Sequence, residues 1–144
     1  MNLLIRKTRP DAITPTRGTA GSSGLDLYLL DTVVLAPNVP TKIPLGIAIW
    51  IQDPAMEGQI RLRSSYGKKG IVLLNAPGTI DSDYQGEISA LLMNLTDEAI
   101  RLLAGERPVQ LVISPVITNI ELNMVSQFDT NTARGAGGFG STGQ

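Results

Sequence analysis

From Asn75 to Ile88 the chain reads Asn-Ala-Pro-Gly-Thr-Ile-Asp-Ser-Asp-Tyr-Gln-Gly-Glu-Ile, so that acids and one tyrosine interrupt an apolar strand pattern. Turn chemistry at Ala76, Pro77 and Gly78 predicts that the flanking stretches pair as a hairpin and leave backbone amides and carbonyls free at its tip. Fixed backbone groups of that kind can read the edge of a small planar ligand. Ile80 puts apolar surface beside Asp81, a setting that makes a carboxylate more basic and suits it to general-base work. Asp83 and Glu87 read as surface acids.

Other segments offer anion chemistry. Arg63, Ser64 and Ser65 close a strand with one cation and two hydroxyls where a short helix begins, which suits phosphate oxygens. Asp26, between Leu25 and Leu27, suits either the orientation of metal-bound water or an exposed strand edge. Gln110 lies among Val109, Leu111 and Val112 and needs a partner there: a ligand phosphate, an ordered water or a backbone group. Lys68 and Lys69 read as surface charge, and Trp50 as core.

Near the C-terminus, Gly135, Gly137 and Gly140 make a formal G-x-G-x-x-G match. That fingerprint works between a strand and a helix of a βαβ unit, whereas only four residues follow Gly140. One arginine, Arg134, and one ring, Phe139, within a glycine, serine and threonine segment instead suit a closing flap: a cation for phosphate, a ring for a base, and backbone that approaches both.

Composition narrows the chemistry further. At 144 residues the chain reads as one domain. It has no cysteine and no histidine, which removes disulfides, thiol nucleophiles, thiolate or imidazole zinc sites and every imidazole-based triad. Any catalyst therefore uses carboxylates and water, and any metal is a hard cation on oxygen, most simply magnesium carried on substrate phosphates. A net charge of -1 and a pI near 5.3 argue against direct nucleic-acid binding. No apolar run approaches the roughly 20 residues of a membrane span, and Met1 to Pro10 lacks a signal peptide's apolar stretch, so the expected location is cytoplasmic, without membrane contact.

Strand-length apolar runs must position these residues: Leu3 to Ile5, Leu25 to Leu30, Thr32 to Leu35, Ile43 to Ile51, Gln59 to Leu62, Ile71 to Leu74, Ile88 to Leu95, Ile100 to Leu103, Val109 to Ile117 and Ile120 to Val125. Several alternate with period two, and none sustains a helical period beyond about two turns. The expected fold is all-β, a jelly-roll-like sandwich or barrel, with at most one short helix from Ser64 to Lys69 capped by Ser64. Residues 1–128 form the β domain and 129–144 a flexible glycine-rich C-terminal flap.

Five segments in this order, Ala20 to Leu27, Arg63 to Ser65, Asn75 to Ile88, Gly105 to Leu111 and Arg134 to Gly143, resemble the trimeric dUTPase family. The resemblance implies a jelly-roll subunit in a homotrimer, with active sites shared between subunits and the tail closing over a site. It implies hydrolysis of dUTP to dUMP and pyrophosphate, with Asp81 activating the water that attacks the α-phosphorus and magnesium on the triphosphate neutralising charge. On the same resemblance Asp26 orients the metal's water shell, while Arg63, Ser64, Ser65 and Gln110 hold phosphates. Arg134 would take the γ-phosphate and Ser141 with Thr142 further oxygens, with Gly140 letting the backbone approach. Phe139 would stack over uracil, Asn75 and the backbone of Gly78, Thr79 and Ile80 would pair with its edge, and Tyr84 would pack where a ribose hydroxyl would collide. Leu62, Ser65, Pro108 and Ala136 depart from the family's usual proline, glycine, aliphatic and hydroxyl residues; Pro108 belongs at a strand start or an unpaired edge.

Two rivals remain at this stage. A dCTP deaminase-like enzyme needs a second carboxylate on the strand after the hairpin, yet Ile88 to Met93 contains no acid. A nucleotide-switched β-sandwich interaction module needs no catalyst and would release neither pyrophosphate nor ammonia.

Overall fold

A computed structural model describes residues 2–129 and 132–138. In chain order the elements are β1 (Leu4–Lys7), β2 (Thr16–Arg17), β3 (Leu25–Leu27), β4 (Val33–Leu35), β5 (Thr41–Trp50), β6 (Met56–Leu62), α1 (Ser64–Gly67), β7 (Ile71–Leu73), β8 (Gly78–Ile80), β9 (Glu87–Asn94), β10 (Ile100–Leu102) and β11 (Val109–Pro115). One sheet has the order β1-β5-β9-β7, a second β2-β3-β11-β6-β8, and β10 pairs with β4 alone. Every ladder between these strands is antiparallel. The all-β expectation holds, with one short helix among the described residues.

Period-two patterning explains how the sheets close on a core. Along β9, Ile88, Ala90, Leu92 and Asn94 are buried while Glu87, Ser89, Leu91 and Met93 are only partly covered. Along β6, Gly58 and Ile60 are buried and Glu57, Gln59 and Arg61 lie on the other face. Leu27, Ile60, Val109 and Leu111 of the five-stranded sheet join Ile43, Leu45, Ile47, Ile49 and Ile88 of the four-stranded sheet in one hydrophobic cluster.

The structure corrects several expectations. The stretches around Ala76 to Gly78 do not form a hairpin with each other: β7 pairs with β9, and β8 pairs with β6 in the other sheet. Turn residues license a change of sheet as readily as a hairpin, and Leu74 N–H continues along β9 by donating to Leu91 O at 3.0 Å. Ser64 is the first helical residue rather than its cap; Arg63 holds the cap position without a side-chain hydrogen bond to the helix. Trp50 is 41% exposed at the end of β5, where an apolar groove of about 370 Å³ runs past Leu4 and Ile5. Ile120 to Val125 has a strand's alternation but no ladder partner among the described residues. Pro108 immediately precedes β11, so its missing N–H breaks no ladder.

A bulge in β5 bears on the site. The register against β9 shifts between Pro44 and Ala48, and Gly46 takes φ +72, where an added Cβ would overlap Leu30. The N–H of Gly46 donates to Glu87 Oε1 at 2.9 Å, and the Thr8 hydroxyl donates to the same oxygen at 2.8 Å. Glu87, read from sequence as a surface acid, is therefore a half-buried clamp joining the loop after β8 to β5.

Candidate active site

The structure sorts the expected site residues into two groups. The first is built on the ends of β3, β6 and β11. Their register places Asp26, Gln110 and Arg61 in one row across the sheet. Asp26 is 7% exposed, and its carboxylate pairs with both neighbouring cations: Arg63 Nε lies 3.1 Å from Oδ1, and Arg107 Nη1 donates to Oδ2 at 3.2 Å. Two guanidiniums on one carboxylate leave the cluster one positive charge in excess, a favourable seat for a polyanion.

Local chemistry fixes this group. Arg63 Nη1 donates to Arg107 O at 3.1 Å, and the Arg63 N–H donates to Pro108 O at 2.9 Å, so the end of β6 is stitched to the entry of β11. Gln110 lies over Gly24, where any Cβ would overlap its amide; that is why the turn into β3 has glycine there. Ser64 and Ser65 are exposed at the first turn of α1. Arg107 stands over the Tyr28 ring, its guanidinium carbon 5.8 Å from the centroid. Sequence reasoning passed over Arg107 because an arginine beside a turn looks like solvated charge; the usable signal was its place one residue before Pro108 in the same segment as Gln110.

Behind Arg63, the Tyr66 hydroxyl donates to Glu106 Oε2 at 2.8 Å, and the other oxygen of Glu106 accepts the Leu103 N–H at 2.9 Å. Burial, with the Glu106 carboxylate adding to it, pushes the Tyr66 phenol up to about 12. The Leu103 N–H, with help from Tyr66 and Lys69, holds Glu106 below the ordinary carboxylate range against the opposing effect of burial.

The second group lies where β8 leads into β9. Asn75 packs over Gly78, where a Cβ would come within 3.2 Å of Asn75 Nδ2. Thr79 and Ile80 continue β8, and Asp81 and Tyr84 form a turn closed by Tyr84 N–H to Asp81 O at 3.1 Å. The Tyr84 ring folds over Gly86 and donates its hydroxyl to Glu87 O at 3.2 Å. Asp81, expected beside apolar surface at Ile80, is exposed and borders two open grooves of about 350 and 390 Å³. One is walled by Tyr84, Thr79 and Lys42, the other by Glu57, Asp83 and Met56.

The two groups do not meet within one chain. Ile80 lies opposite Gly58, so Asp81 comes level with Glu57, six positions along β6 from Arg63. At a strand's rise that separation is about 20 Å. Arg134 is exposed and makes a local contact, Nε to Gly137 O at 3.0 Å. Phe139, Gly140, Ser141 and Thr142 lie outside the described residues.

A hard cation fits the donor chemistry as a companion of bound phosphate. Among the described residues no group of three or more carboxylates could cage a metal. Each Asp26 oxygen spends one contact on a guanidinium, which leaves lone pairs for a metal's water shell but no open direct site.

Comparisons with known proteins identify the family. The dUTPase family model matches residues 10–143. A deoxyuridine 5'-triphosphate nucleotidohydrolase from Hydrogenobaculum sp. (strain Y04AAS1) is 46% identical over 145 residues, covering 99% of both chains. Another from Nautilia profundicola is 43% identical over 145 residues and all of both chains. Among solved structures, the dUTPase of Staphylococcus bacteriophage 80alpha with dUpNHpp superposes with a TM-score of 0.89 at 28% identity over 99% of each chain. Family match, near full-length identity and shared fold make one conclusion: this chain belongs to the dUTPase family of nucleotide hydrolases.

Proposed function

We propose that the protein hydrolyses dUTP to dUMP and pyrophosphate in a homotrimer whose sites are shared between subunits. The observation that carries the shared site is the separation of about 20 Å between Asp81 and the Arg63 cluster on one sheet, far beyond the reach of a single triphosphate reaction centre. A neighbouring copy has to supply one of the two. The chain also carries a segment fit for association: Ile117, Ile120, Leu122, Met124, Val125 and Phe128 are 61–98% exposed, and their stretch has no ladder partner among the described residues.

In this reading Asp81 takes the proton from a water as the water oxygen bonds to the α-phosphorus. The bond from that phosphorus to the bridging oxygen breaks, and pyrophosphate leaves with its electron pair. Arg63, Arg107, Ser64, Ser65 and Gln110 hold the phosphate chain, with Asp26 fixing both guanidiniums in place. The free lone pairs of Asp26 would hold the water shell of a magnesium ion bound to the triphosphate, which would neutralise phosphate charge. Asn75 and the backbone of Gly78, Thr79 and Ile80 read the uracil edge. Cytosine would leave those groups unpaired, and a thymine methyl would overlap them. Tyr84, folded over Gly86, walls the sugar. Residues 129–144 act as a flap: Arg134 meets the γ-phosphate, Phe139 covers the base, and Gly140, Ser141 and Thr142 bring backbone and hydroxyls to the phosphates.

The deciding assay follows pyrophosphate release over the deoxynucleoside triphosphates, together with sedimentation. The expected result is dUTP-selective turnover by a trimer. A fully active monomer, or ammonia release from dCTP, would overturn the reading.

A further inference from the structure

Tyr66 stands next to Ser64 and Ser65, and Glu106 immediately precedes Arg107. Their side-chain hydrogen bond, at 2.8 Å, therefore joins the two segments that carry the cationic cluster. Three ties link those segments: Arg63 N–H to Pro108 O, Arg63 Nη1 to Arg107 O, and this one. The first two act at Arg63 itself. The third fixes the far side of α1, a single turn of four residues that has little stability of its own. Glu106 is in turn held by the Leu103 N–H, so the anchor lies in the backbone of the turn before β11.

Packing alone does not require the hydroxyl. The Tyr66 ring is 7% exposed, and a phenyl ring would fill that space. What the phenol adds is a donor aimed at a carboxylate one residue from Arg107; a phenol is protonated at neutral pH, and burial lowers its acidity further.

We propose that the Tyr66–Glu106 pair is a positioning device that sets the spacing of Arg63, Ser64 and Ser65 against Arg107, and so tunes affinity for the phosphate chain rather than for the nucleoside. This rests on the reading of that cluster as the phosphate seat. Tyr66 and Glu106 touch no substrate; they act through the arginines and serines beside them.

The test compares binding of a non-hydrolysable dUTP analogue with binding of deoxyuridine. Tyr66→Phe keeps the ring and removes the donor; it should weaken the analogue about three- to tenfold, the range of one net hydrogen bond, and deoxyuridine less than about twofold. Glu106→Gln keeps an acceptor for Leu103 and a polar partner for Tyr66, and should retain more affinity for the analogue than Glu106→Ala. Equal losses for both ligands, or unchanged affinity for the analogue in folded Tyr66→Phe, would overturn the proposal. Arg63→Ala, measured alongside, separates the two layers. A strong loss there with a silent Tyr66→Phe overturns the positioning role alone, and a silent Arg63→Ala overturns the phosphate seat and the positioning role together.

Discussion

Asp26 shows how one side chain changes meaning between sequence and structure. Read alone it is an acid in a short strand; folded, it is buried with a guanidinium on each oxygen, so its principal work is to hold Arg63 and Arg107. Asp81 has the opposite character, exposed beside two grooves, with its backbone oxygen closing the turn that carries Tyr84. Because that carboxylate braces nothing else, Asp81→Asn should leave the unfolding midpoint unchanged. Turnover should fall about 10²–10⁴-fold, the usual worth of a positioned general base. Undiminished hydrolysis by the folded variant would remove Asp81 from the mechanism. Asp81, Tyr84 and Arg63 could be singled out in the sequence by residue type, an acid, a ring and a cation set amid apolar strands. Arg107 and Glu87 were not legible, because their roles depend on partners 81 and 41 positions away in sequence, Asp26 and Gly46. No local pattern records such distances.

At the level of elements, alternation foretold most strands but not their partners. β8 has three residues, too few for periodicity to register, and the turn before it reads equally well as a hairpin or as a passage between sheets. The β5 bulge was likewise hidden, although it decides where the Tyr84 loop sits: Glu87 satisfies the Gly46 N–H and the Thr8 hydroxyl together. Glu87→Ala strands both donors and should cost about 1–3 kcal/mol in denaturant unfolding. It should also raise the KM for dUTP by loosening that loop. An unchanged midpoint would mean that water replaces the carboxylate without loss. The link between α1 and the turn before β11 makes a pH-dependent prediction. Glu106 is held below its ordinary value, so its contribution to stability is complete above about pH 4.3 and is lost as pH falls through the depressed value. The difference in urea midpoint between the native protein and Glu106→Gln should accordingly be constant near neutrality and shrink toward pH 3. A difference that widens on acidification would contradict the assigned direction.

On the scale of the whole molecule, one chain has a closed core but an open chemistry. The core needs nothing from outside: Leu29, Leu35, Ile71, Leu92, Leu102 and Val109 are fully buried. By contrast, Asp81 at one end of the five-stranded sheet lies about 20 Å from the Arg63 cluster at the other, and the stretch after β11 exposes apolar side chains with no strand to pair with among the described residues. In the proposed homotrimer a second copy would resolve both conditions, and a cyclic assembly would repeat the solution at every interface. Subunit mixing tests this more sharply than mass alone. Asp81→Asn and Arg63→Ala homo-oligomers should each be nearly inactive, since every site lacks either its base or its phosphate clamp. After denaturation and refolding together at equal amounts, a shared site takes its Asp81 from an Arg63→Ala subunit half the time and its Arg63 from an Asp81→Asn subunit half the time. About a quarter of the sites are then intact, and activity should return to about that fraction of the native level. A site contained within one chain regains nothing on mixing, because every chain carries one of the two lesions. Recovery near a quarter therefore requires catalysis across the subunit boundary, and its absence in verified mixed assemblies would return both groups to a single chain.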